Sequence, residues 1–233
     1  MPADRLIVPY GCAGWRDGWI EEGPDGLVRC TVPHVVIDRS ANAPLRLQDG
    51  QYAIPLPSRG SPDEELRQIE DDALARADPW SKPQAAFLRR YFAHVREQVE
   101  ADAVALTERL GTLRDLFDHR AFVFAAPRPL PRGFLAAEGR MIRCDCVFWT
   151  GGGALAVEIE GRTAPRPGRE DELARLAAAG VAVTRCPPDA EIASLGLPPL
   201  FERFADGVSI PSGPFKARGI EAYAAPRISS SST

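Results

Sequence analysis

Apolar residues in the first part of the chain fall into short runs separated by Gly, Pro, Asn and Asp, a pattern typical of short strands joined by turns. The runs read LIVPY, LVRCTV, HVVID, LRLQ and QYAIPL. We therefore expect residues 1–60 to form a small β-rich lobe. Because this stretch carries no catalytic signature, we interpret the lobe as a surface that binds a protein partner.

Two helix starts follow the lobe. The run SPDE (61–64) combines an N-cap, a proline suited to the first helical position and a capping-box acid, and it predicts a helix to about Ala77. Ser81 and Pro83 begin a second, longer helical stretch. Its apolar residues recur mostly every three or four positions and form a stripe that faces the core or a protein partner. The stripe consists of Leu88, Tyr91, Phe92, Val95, Val99, Ala103, Leu106 and Leu110. We expect residues 61–119 to form a helical segment that packs on the core.

The pattern changes to strands near residue 120. The run AFVFAAP (121–127) reads as a strand, and the following RPLPRG (128–133) reads as an exposed, mobile loop. Two longer apolar runs, MIRCDCVFW (141–149) and ALAVEIE (154–160), predict antiparallel strands. The Gly151-Gly152 dipeptide between them suits a tight hairpin turn, so these two strands form the centre of the predicted sheet.

The chain after the hairpin predicts one helix and one further strand. EDELARLAAAG (170–180) has leucines at helical spacing and ends on a glycine suited to a helix C-terminus. VAVTRCP (181–187) then reads as a buried strand. Beyond it we expect a short helix near residues 200–204 and a C-terminal tail, residues 209–233, that ends in disorder.

The hairpin turn determines how the two long strands pair. With Gly151-Gly152 as the turn, Asp145 lies directly opposite Glu158, and Arg143 faces Glu160. Side chains alternate along a strand, so the apolar residues of both strands share one face, which we assign to the core. These residues are Ile142, Cys144, Cys146, Phe148, Leu155, Val157 and Ile159. The charged side chains lie on the other face.

Asp145 and Glu158 repel each other if they share that charged face. Directly opposed residues have Cβ atoms about 4.5–5.5 Å apart, so two carboxylates there destabilise the hairpin unless a cation lies between them. Mg²⁺ or Mn²⁺ is one such cation, since hard divalent ions take one or two carboxylates and complete their coordination with water and phosphate oxygens. The alternative is a solvated polar face, on which Arg143 and Glu160 form a simple cross-strand ion pair.

These motifs resemble a known group of nucleases. An Asp on one strand, the run EIEG (158–161) at the end of the next, and a helix followed by the strand GVAVTR (180–185) are similar to the PD-(D/E)XK nuclease superfamily, most of all to its branch related to very-short-patch repair endonucleases. The resemblance implies an α+β fold in which residues 120–208 form a mixed β-sheet with a central hairpin flanked by helices. It also implies a metal-dependent nuclease acting on phosphodiester bonds, expected in DNA, with a role in repair or in defence against foreign DNA.

The resemblance also assigns roles to residues of this chain. Asp145 and Glu158 match the two metal-binding carboxylates for Mg²⁺ or Mn²⁺, and Glu160 completes the expected catalytic set. Glu160 stands where the superfamily's motif usually has Lys, and the very-short-patch-like branch commonly has an acid there. In this superfamily a helix ahead of the hairpin often brings a further acid or Gln toward the metal. The candidates here are Glu64, Gln84, Glu97 and Glu100.

The charge of the chain bears on this expected activity. A net charge of −4 is unfavourable for binding a polyanion. Nearly all the basic residues are Arg, however, and Arg143, Arg162 and Arg169 lie near the candidate acids, so we expect these three to bind substrate phosphates. The missing Lys and the acidic charge favour an alternative, a nuclease-like fold without turnover that binds nucleic acid or serves as an assembly subunit. A third interpretation is an interaction protein whose hairpin acids are solvated.

Length and composition set the broad class. The chain has 233 residues, 45% of them hydrophobic, which suffices for one packed core with a small appendage. No apolar run reaches the roughly 18 residues of a membrane span, and the N-terminus lacks the architecture of a signal peptide, so we expect a cytoplasmic protein without a membrane partner. The five cysteines are odd in number and show no repeated spacing, which predicts free thiols.

Overall fold

The computed structural model describes residues 5–22, 28–47, 61–115, 118–161 and 167–197, and these form a mixed α+β fold. The α-helices are α1 (Pro62–Arg76), α2 (Lys82–Ala101), α3 (Ala103–Leu110) and α4 (Arg169–Ala178). The strands are β1 (Arg5–Pro9), β2 (Ile20–Glu22), β3 (Val28–Cys30), β4 (His34–Asp38), β5 (Leu130–Pro131), β6 (Phe134–Ala137), β7 (Arg140–Arg143), β8 (Cys146–Trp149), β9 (Ala154–Ile159) and β10 (Ala182–Cys186). Short 3-10 helices lie at Arg39–Ala41, Gly111–Asp115, His119–Ala125 and Ile192–Leu195.

Four strands form the central sheet in the order β10-β9-β8-β5. β8 and β9 form the predicted hairpin: Cys146 pairs with Val157, and the Thr150 N–H donates to the Gly153 carbonyl at 2.9 Å. The predicted turn is therefore confirmed, and so is the register from the turn to the Cys146–Val157 pair, where the ladder ends. β10 runs parallel to β9, and α4 lies between them in the chain. Because β10 is at the sheet's edge, only its Cys186 is buried, and the prediction of a buried strand is wrong.

Helices α1, α2 and α3 cover one face of the central sheet. Phe148, Leu155 and Val157 of the hairpin belong to one buried cluster with residues of all three helices. The predicted apolar stripe lies in this cluster, except for Ala103, which is half-buried. Burial of this stripe against the sheet is the main hydrophobic contribution to this half of the molecule.

β1, β4, β6, β7 and α4 contribute to a second buried cluster, together with Val147 and Trp149 of the hairpin. The chain after β4 runs beside the sheet, where the Leu45 N–H donates to the Trp149 carbonyl at 3.1 Å. Three of the runs expected as strands in the first 60 residues, LIVPY, LVRCTV and HVVID, correspond to β1, β3 and β4, and β1 and β4 pack against the hairpin. In its described residues the run LRLQ forms only an isolated bridge at Arg46, and QYAIPL lies outside the described residues. The division of the chain into domains stays a prediction.

The helix boundaries follow the capping signals. The Ser61 side chain accepts the Glu64 N–H and the Glu64 carboxylate accepts the Ser61 N–H, which is the predicted capping box. The Ser81 hydroxyl accepts the Gln84 N–H at 3.3 Å and begins α2. Among the described helices, none is long and apolar enough to cross a membrane.

The strand predicted at residues 121–127 is wrong, because the chain there forms a 3-10 helix, His119–Ala125. The Asp118 side chain accepts the Arg120 N–H at 2.9 Å and caps this helix. Phe122, Val123 and Phe124 are all buried, whereas a strand would direct neighbouring side chains to opposite faces.

The loop predicted at residues 128–133 is not exposed. Leu130 is fully buried and pairs with Val147 in the central sheet, so this segment supplies the strand that was expected at residues 121–127. Gly133 allows the close approach: a Cβ there would lie 2.8 Å from a methyl group of Val147. Proline-rich composition indicated a solvent-exposed loop, but contact with β8 buries it.

The single long strand predicted at residues 141–149 is also wrong. β7 pairs with β6, β8 pairs with β9, and the chain bends at Cys144 and Asp145. The bend places Ile142 and Cys144 in the second cluster, while Cys146 and Phe148 lie in the first. The seven residues predicted to share one apolar face are therefore divided between two faces. The segments near 200–204 and 209–233 lie outside the described residues.

Candidate functional site

Asp145 lies at the bend between β7 and β8 and is 5% exposed. Its carbonyl accepts the Arg132 N–H at 2.9 Å, and its carboxylate accepts the Ile159 N–H at 3.0 Å. The Glu160 N–H donates to Cys186 of β10, so the Ile159 N–H points the other way, toward β8. The Asp145 carboxylate thus takes the place of a backbone acceptor that the bend removes from the ladder.

Gln84 connects the first turn of α2 to this bend. Its side-chain NH₂ donates to the Asp145 carbonyl, and its side-chain oxygen accepts the Asp78 N–H at 2.6 Å. Gln84 is fully buried, so both contacts are made away from water. Of the four upstream residues considered from the sequence, Gln84 is the one that reaches the hairpin acids.

The other three upstream candidates lie elsewhere. Glu64 closes the capping box of α1. Glu97 is exposed on α2, and the Glu100 carboxylate accepts from Arg120 at 2.8 Å. All three carboxylates therefore have the ordinary solvated roles of helix residues.

Glu158 lies on β9 and shares an ion pair with Arg169, the first residue of α4. The side chains are 19% and 9% exposed respectively, so the pair is largely withdrawn from water. The ladder between β8 and β9 ends at the Cys146–Val157 pair, and Asp145 and Glu158 are the residues directly beyond that pair. The cation that compensates Glu158 in this structure is consequently a guanidinium of the chain itself.

Arg169 makes two further contacts in the site. It donates to the Arg143 carbonyl at 2.8 Å and to the Glu172 carboxylate at 2.9 Å. Burial by itself lowers the pKa of Arg169, but hydrogen bonding and charge from Glu158, with help from Glu172, outweigh it and raise the pKa above its ordinary value. Arg169 therefore remains charged, and it bridges α4, β9 and the end of β7.

Cys144 lies beside this ion pair and is 1% exposed. Burial raises the pKa of its thiol to about 12; the charge of Arg169 lowers it, while those of Glu158 and Asp145 raise it. Cys144 therefore stays a neutral thiol at physiological pH. The sequence pattern placed it on the opposite face, and the bend brings it to the candidate site.

Arg143 does not face Glu160 in the strand pairing, contrary to the prediction from the hairpin pattern. Arg143 is opposite Phe134 in the β6–β7 ladder, and its guanidinium donates to the Ala13 carbonyl at 2.6 Å. Glu160 follows the end of β9 and is exposed. The bend at residues 144–145 separates the two, because β7 leaves the hairpin before it could reach Glu160. Arg162 lies outside the described residues.

The donor chemistry of the site fits a divalent cation with one condition. Two carboxylates on adjacent strands are what Mg²⁺ or Mn²⁺ takes when water and phosphate oxygens complete the coordination. Within the described ranges no group of three or more His, Cys, Asp or Glu side chains is arranged to hold a metal. Arg169 already binds one oxygen of Glu158, so a cation that took both acids would have to share the Glu158 carboxylate with Arg169 or displace it.

Sequence reasoning missed the bend and therefore missed two members of the site, Cys144 and Arg132. The available signal was Asp145 itself, since Asp is unfavourable inside a strand and its position in an apolar run indicates an interruption. The role of Gln84 had no local signal.

Comparisons of the chain with family models, with curated proteins and with solved structures found no match. The interpretation of the site consequently depends on its own geometry.

Proposed function

We propose that this chain is a metal-dependent nuclease that hydrolyses phosphodiester bonds, with DNA as the expected substrate. The observation that carries the proposal is the hairpin register, in which Asp145 and Glu158 come directly beyond the last pair, Cys146–Val157. The order α2, β5, β8, β9, α4 and β10, with β10 parallel to β9, supports it because the PD-(D/E)XK resemblance predicts a central hairpin flanked by helices.

In this mechanism Asp145 and Glu158 would hold the metal. Bound Mg²⁺ or Mn²⁺ would polarise the scissile phosphate and lower the pKa of the attacking water. Glu160, exposed just past the end of β9, would orient the attacking water. Arg169 exchanges its partner from Glu158 to a phosphate oxygen, which guanidinium groups bind through paired hydrogen bonds. The Arg143 carbonyl and Glu172 carboxylate, which already bind Arg169, keep it within the site during this exchange.

A cleavage assay tests the proposal directly. Single- and double-stranded DNA and RNA are incubated with the protein and Mn²⁺, and parallel reactions contain a chelator. We expect metal-dependent cleavage that falls by at least about a hundredfold in Asp145→Asn and Glu158→Gln. Glu170→Gln is the matched control, because this α4 carboxylate is exposed and pairs with Arg185 instead. Parental cleavage by both site variants would contradict the proposal.

A melting experiment tests the metal site without relying on turnover. An ion that binds the folded chain preferentially raises the melting temperature. We expect Mn²⁺ to raise the melting temperature of the parent and of Glu170→Gln, and to leave the melting temperature of Glu158→Gln unchanged. An equal rise in all three proteins would place the bound ion elsewhere.

A second candidate function is a nuclease-like fold that binds nucleic acid without cleaving it. The ion pair between Glu158 and Arg169 favours this candidate, because it already neutralises an acid that turnover would need. It predicts that DNA binds in the presence of chelator, that Mn²⁺ produces no cleavage and that Mn²⁺ leaves the melting temperature of the parent unchanged.

A further inference from the structure

Trp80 is almost fully exposed. Its relative accessibility is 92%, whereas Trp149 is 6% exposed in the core. An indole is a large hydrophobic group, and folding gains little from leaving it in water. Trp80 lies between α1 and α2; we use the name Trp80 loop for residues 77–84, which comprise this connection and the first residues of α2.

The Trp80 loop is held in one conformation. Pro79 and Pro83 restrict its backbone on either side of the indole. The backbone N–H of Trp80 donates to the Asp78 carboxylate at 3.1 Å, and the backbone N–H of Ser81 donates to the Asp78 carbonyl at 2.9 Å. The backbone that carries the exposed ring is therefore restrained before any ligand binds, so binding to the ring loses little backbone entropy.

Two residues attach this loop to the bend that carries Asp145. Gln84 binds both the Asp78 N–H and the Asp145 carbonyl. Arg132 donates through its side chain to the Ala77 carbonyl at 3.1 Å and through its backbone to the Asp145 carbonyl at 2.9 Å. Trp80 is two residues from Asp78, about 7 Å of extended chain at most, so its position is coupled to the candidate site.

The loop also contacts the segment that follows Glu160. A Cβ at Gly161 would lie 3.4 Å from the Pro83 ring, so the end of β9 passes directly against the start of α2. The Trp80 loop is thus adjacent to both acid-bearing segments, the bend at Asp145 and the exit of β9.

The surroundings of Trp80 favour a nucleobase over an apolar protein surface. Lys82, two residues away, is exposed and carries one of only two lysine charges in the chain. An exposed aromatic ring two residues from a cation suits a base and its phosphate, since bases stack on aromatic side chains and ammonium groups attract phosphates. In a duplex the faces of the bases are covered by their neighbours, so a free indole selects unpaired bases.

We propose that Trp80 stacks on an unpaired base of a single-stranded nucleic acid whose backbone passes through the candidate site. Lys82 binds a phosphate next to the stacked base. This inference rests on the proposed function, because it names the form of nucleic acid that the site takes. Trp80 is a binding residue and takes no part in bond cleavage.

The test measures binding in the presence of chelator, where cleavage does not interfere. A fluorescein-labelled thymidine oligonucleotide of about 12 nucleotides is titrated with the parent, Trp80→Ala and Trp80→Phe. We expect Trp80→Ala to weaken binding between about fivefold and a hundredfold, and Trp80→Phe to retain most of the affinity. Quenching of intrinsic fluorescence by the oligonucleotide should occur in the parent and be lost in Trp80→Ala.

Val104→Ala is the matched control, because Val104 is a hydrophobic side chain that is 75% exposed on α3, away from the Trp80 loop. It should bind like the parent. All variants should melt like the parent, since the substituted side chains are exposed. Equal oligonucleotide affinity in Trp80→Ala and the parent, no binding by the parent, or a Trp80-dependent dimer in sedimentation would overturn the inference.

The outcomes separate this inference from the proposed nuclease function. If Trp80→Ala cleaves in a metal-dependent reaction at the parental rate and binds the oligonucleotide with parental affinity, the nuclease function is supported and the stacking role is contradicted. Trp80-dependent binding with no cleavage in Mn²⁺ would support the stacking role and select the binding protein without turnover.

Discussion

Arg169 is the residue on which the electrostatic balance of the site depends. The hairpin pattern indicated two acids that repel each other unless a cation compensates them, and Arg169 provides a cation for Glu158. Removal of Glu158 is therefore not expected to stabilise the apo protein. Its loss would remove a favourable partner of a buried charge.

Replacing Arg169 should destabilise the protein more than replacing Glu158. Arg169→Met leaves the largely buried Glu158 carboxylate without its cation and should cost about 3–5 kcal/mol in the free energy of unfolding. In Glu158→Gln the guanidinium keeps Glu172 and the Arg143 carbonyl, so the loss should be smaller. Urea unfolding in the presence of chelator measures both.

Arg185→Met is the control for that comparison, because its pair with Glu170 is exposed and should contribute little. A loss for Arg169→Met no larger than that for Arg185→Met would show that the buried pair is unimportant for stability.

Cys144 makes stability depend on alkaline pH. Burial raises the pKa of its thiol from 9.0 to about 12, so between these values the unfolded chain has lost a proton that the folded chain retains. The free energy of unfolding therefore falls as pH rises from about 9 to 12, and the contribution is fully present below pH 9. In Cys144→Ala the free energy of unfolding should fall less steeply with pH, by the slope that corresponds to about one proton. Urea midpoints between pH 8 and 10.5 measure the two slopes, and identical slopes would contradict the assignment.

At the scale of elements, the bend between β7 and β8 creates the site. The Cys144 N–H donates to the Gly133 carbonyl at 2.8 Å, so β6 and β7 leave the central sheet together. One strand of the predicted hairpin is thereby divided, and the Asp145 carboxylate is directed to β9. The close approach at Gly133 is a condition for this arrangement.

Gly133→Ala should disturb that approach. The added methyl would lie 2.8 Å from a Val147 methyl in a fully buried position, an overlap expected to cost about 1–3 kcal/mol. Val147→Ala removes the opposing methyl, so the double variant should lose less stability than the sum of the single variants. Gly152→Ala is the control, because a Cβ there meets no atom within 4 Å. Strict additivity in thermal unfolding would argue against the overlap.

At the scale of the whole molecule, the N-terminal strands complete the hydrophobic core. Val8, Ile37 and Leu45 are buried in the same cluster as Val147 and Trp149. The Leu45 backbone also continues the hydrogen bonding of the sheet through the Trp149 carbonyl and the Arg128 N–H. Removing this layer would expose one face of the hairpin to water.

A chain that begins at Ser61 should therefore fail to unfold cooperatively. Its sheet would retain the α1–α3 cover and lose the apolar cover contributed by β1 and β4. Near-ultraviolet circular dichroism through a thermal scan measures the outcome. A sharp transition with parental near-ultraviolet signal would instead establish residues 1–60 as a separate unit.

The sequence by itself determined the elements whose signals act between neighbouring residues. The capping box at Ser61, the Ser81 cap of α2 and the Gly151-Gly152 turn need only nearby atoms, and all three are present as predicted. The turn also determined the register of the hairpin up to the Cys146–Val157 pair, directly beyond which Asp145 and Glu158 lie.

Only the tertiary structure decided which groups meet around those acids. Gln84 reaches Asp145 across 61 positions of sequence, and Arg169 reaches Glu158 from the start of the following helix. Propensity and periodicity describe local conformation, whereas these contacts depend on the bend at residues 144–145 and on how α2 and α4 pack against the sheet. The compensating cation is therefore a property of the folded chain, because burial and helix placement bring Arg169 to the carboxylate that the hairpin pattern had left unpaired.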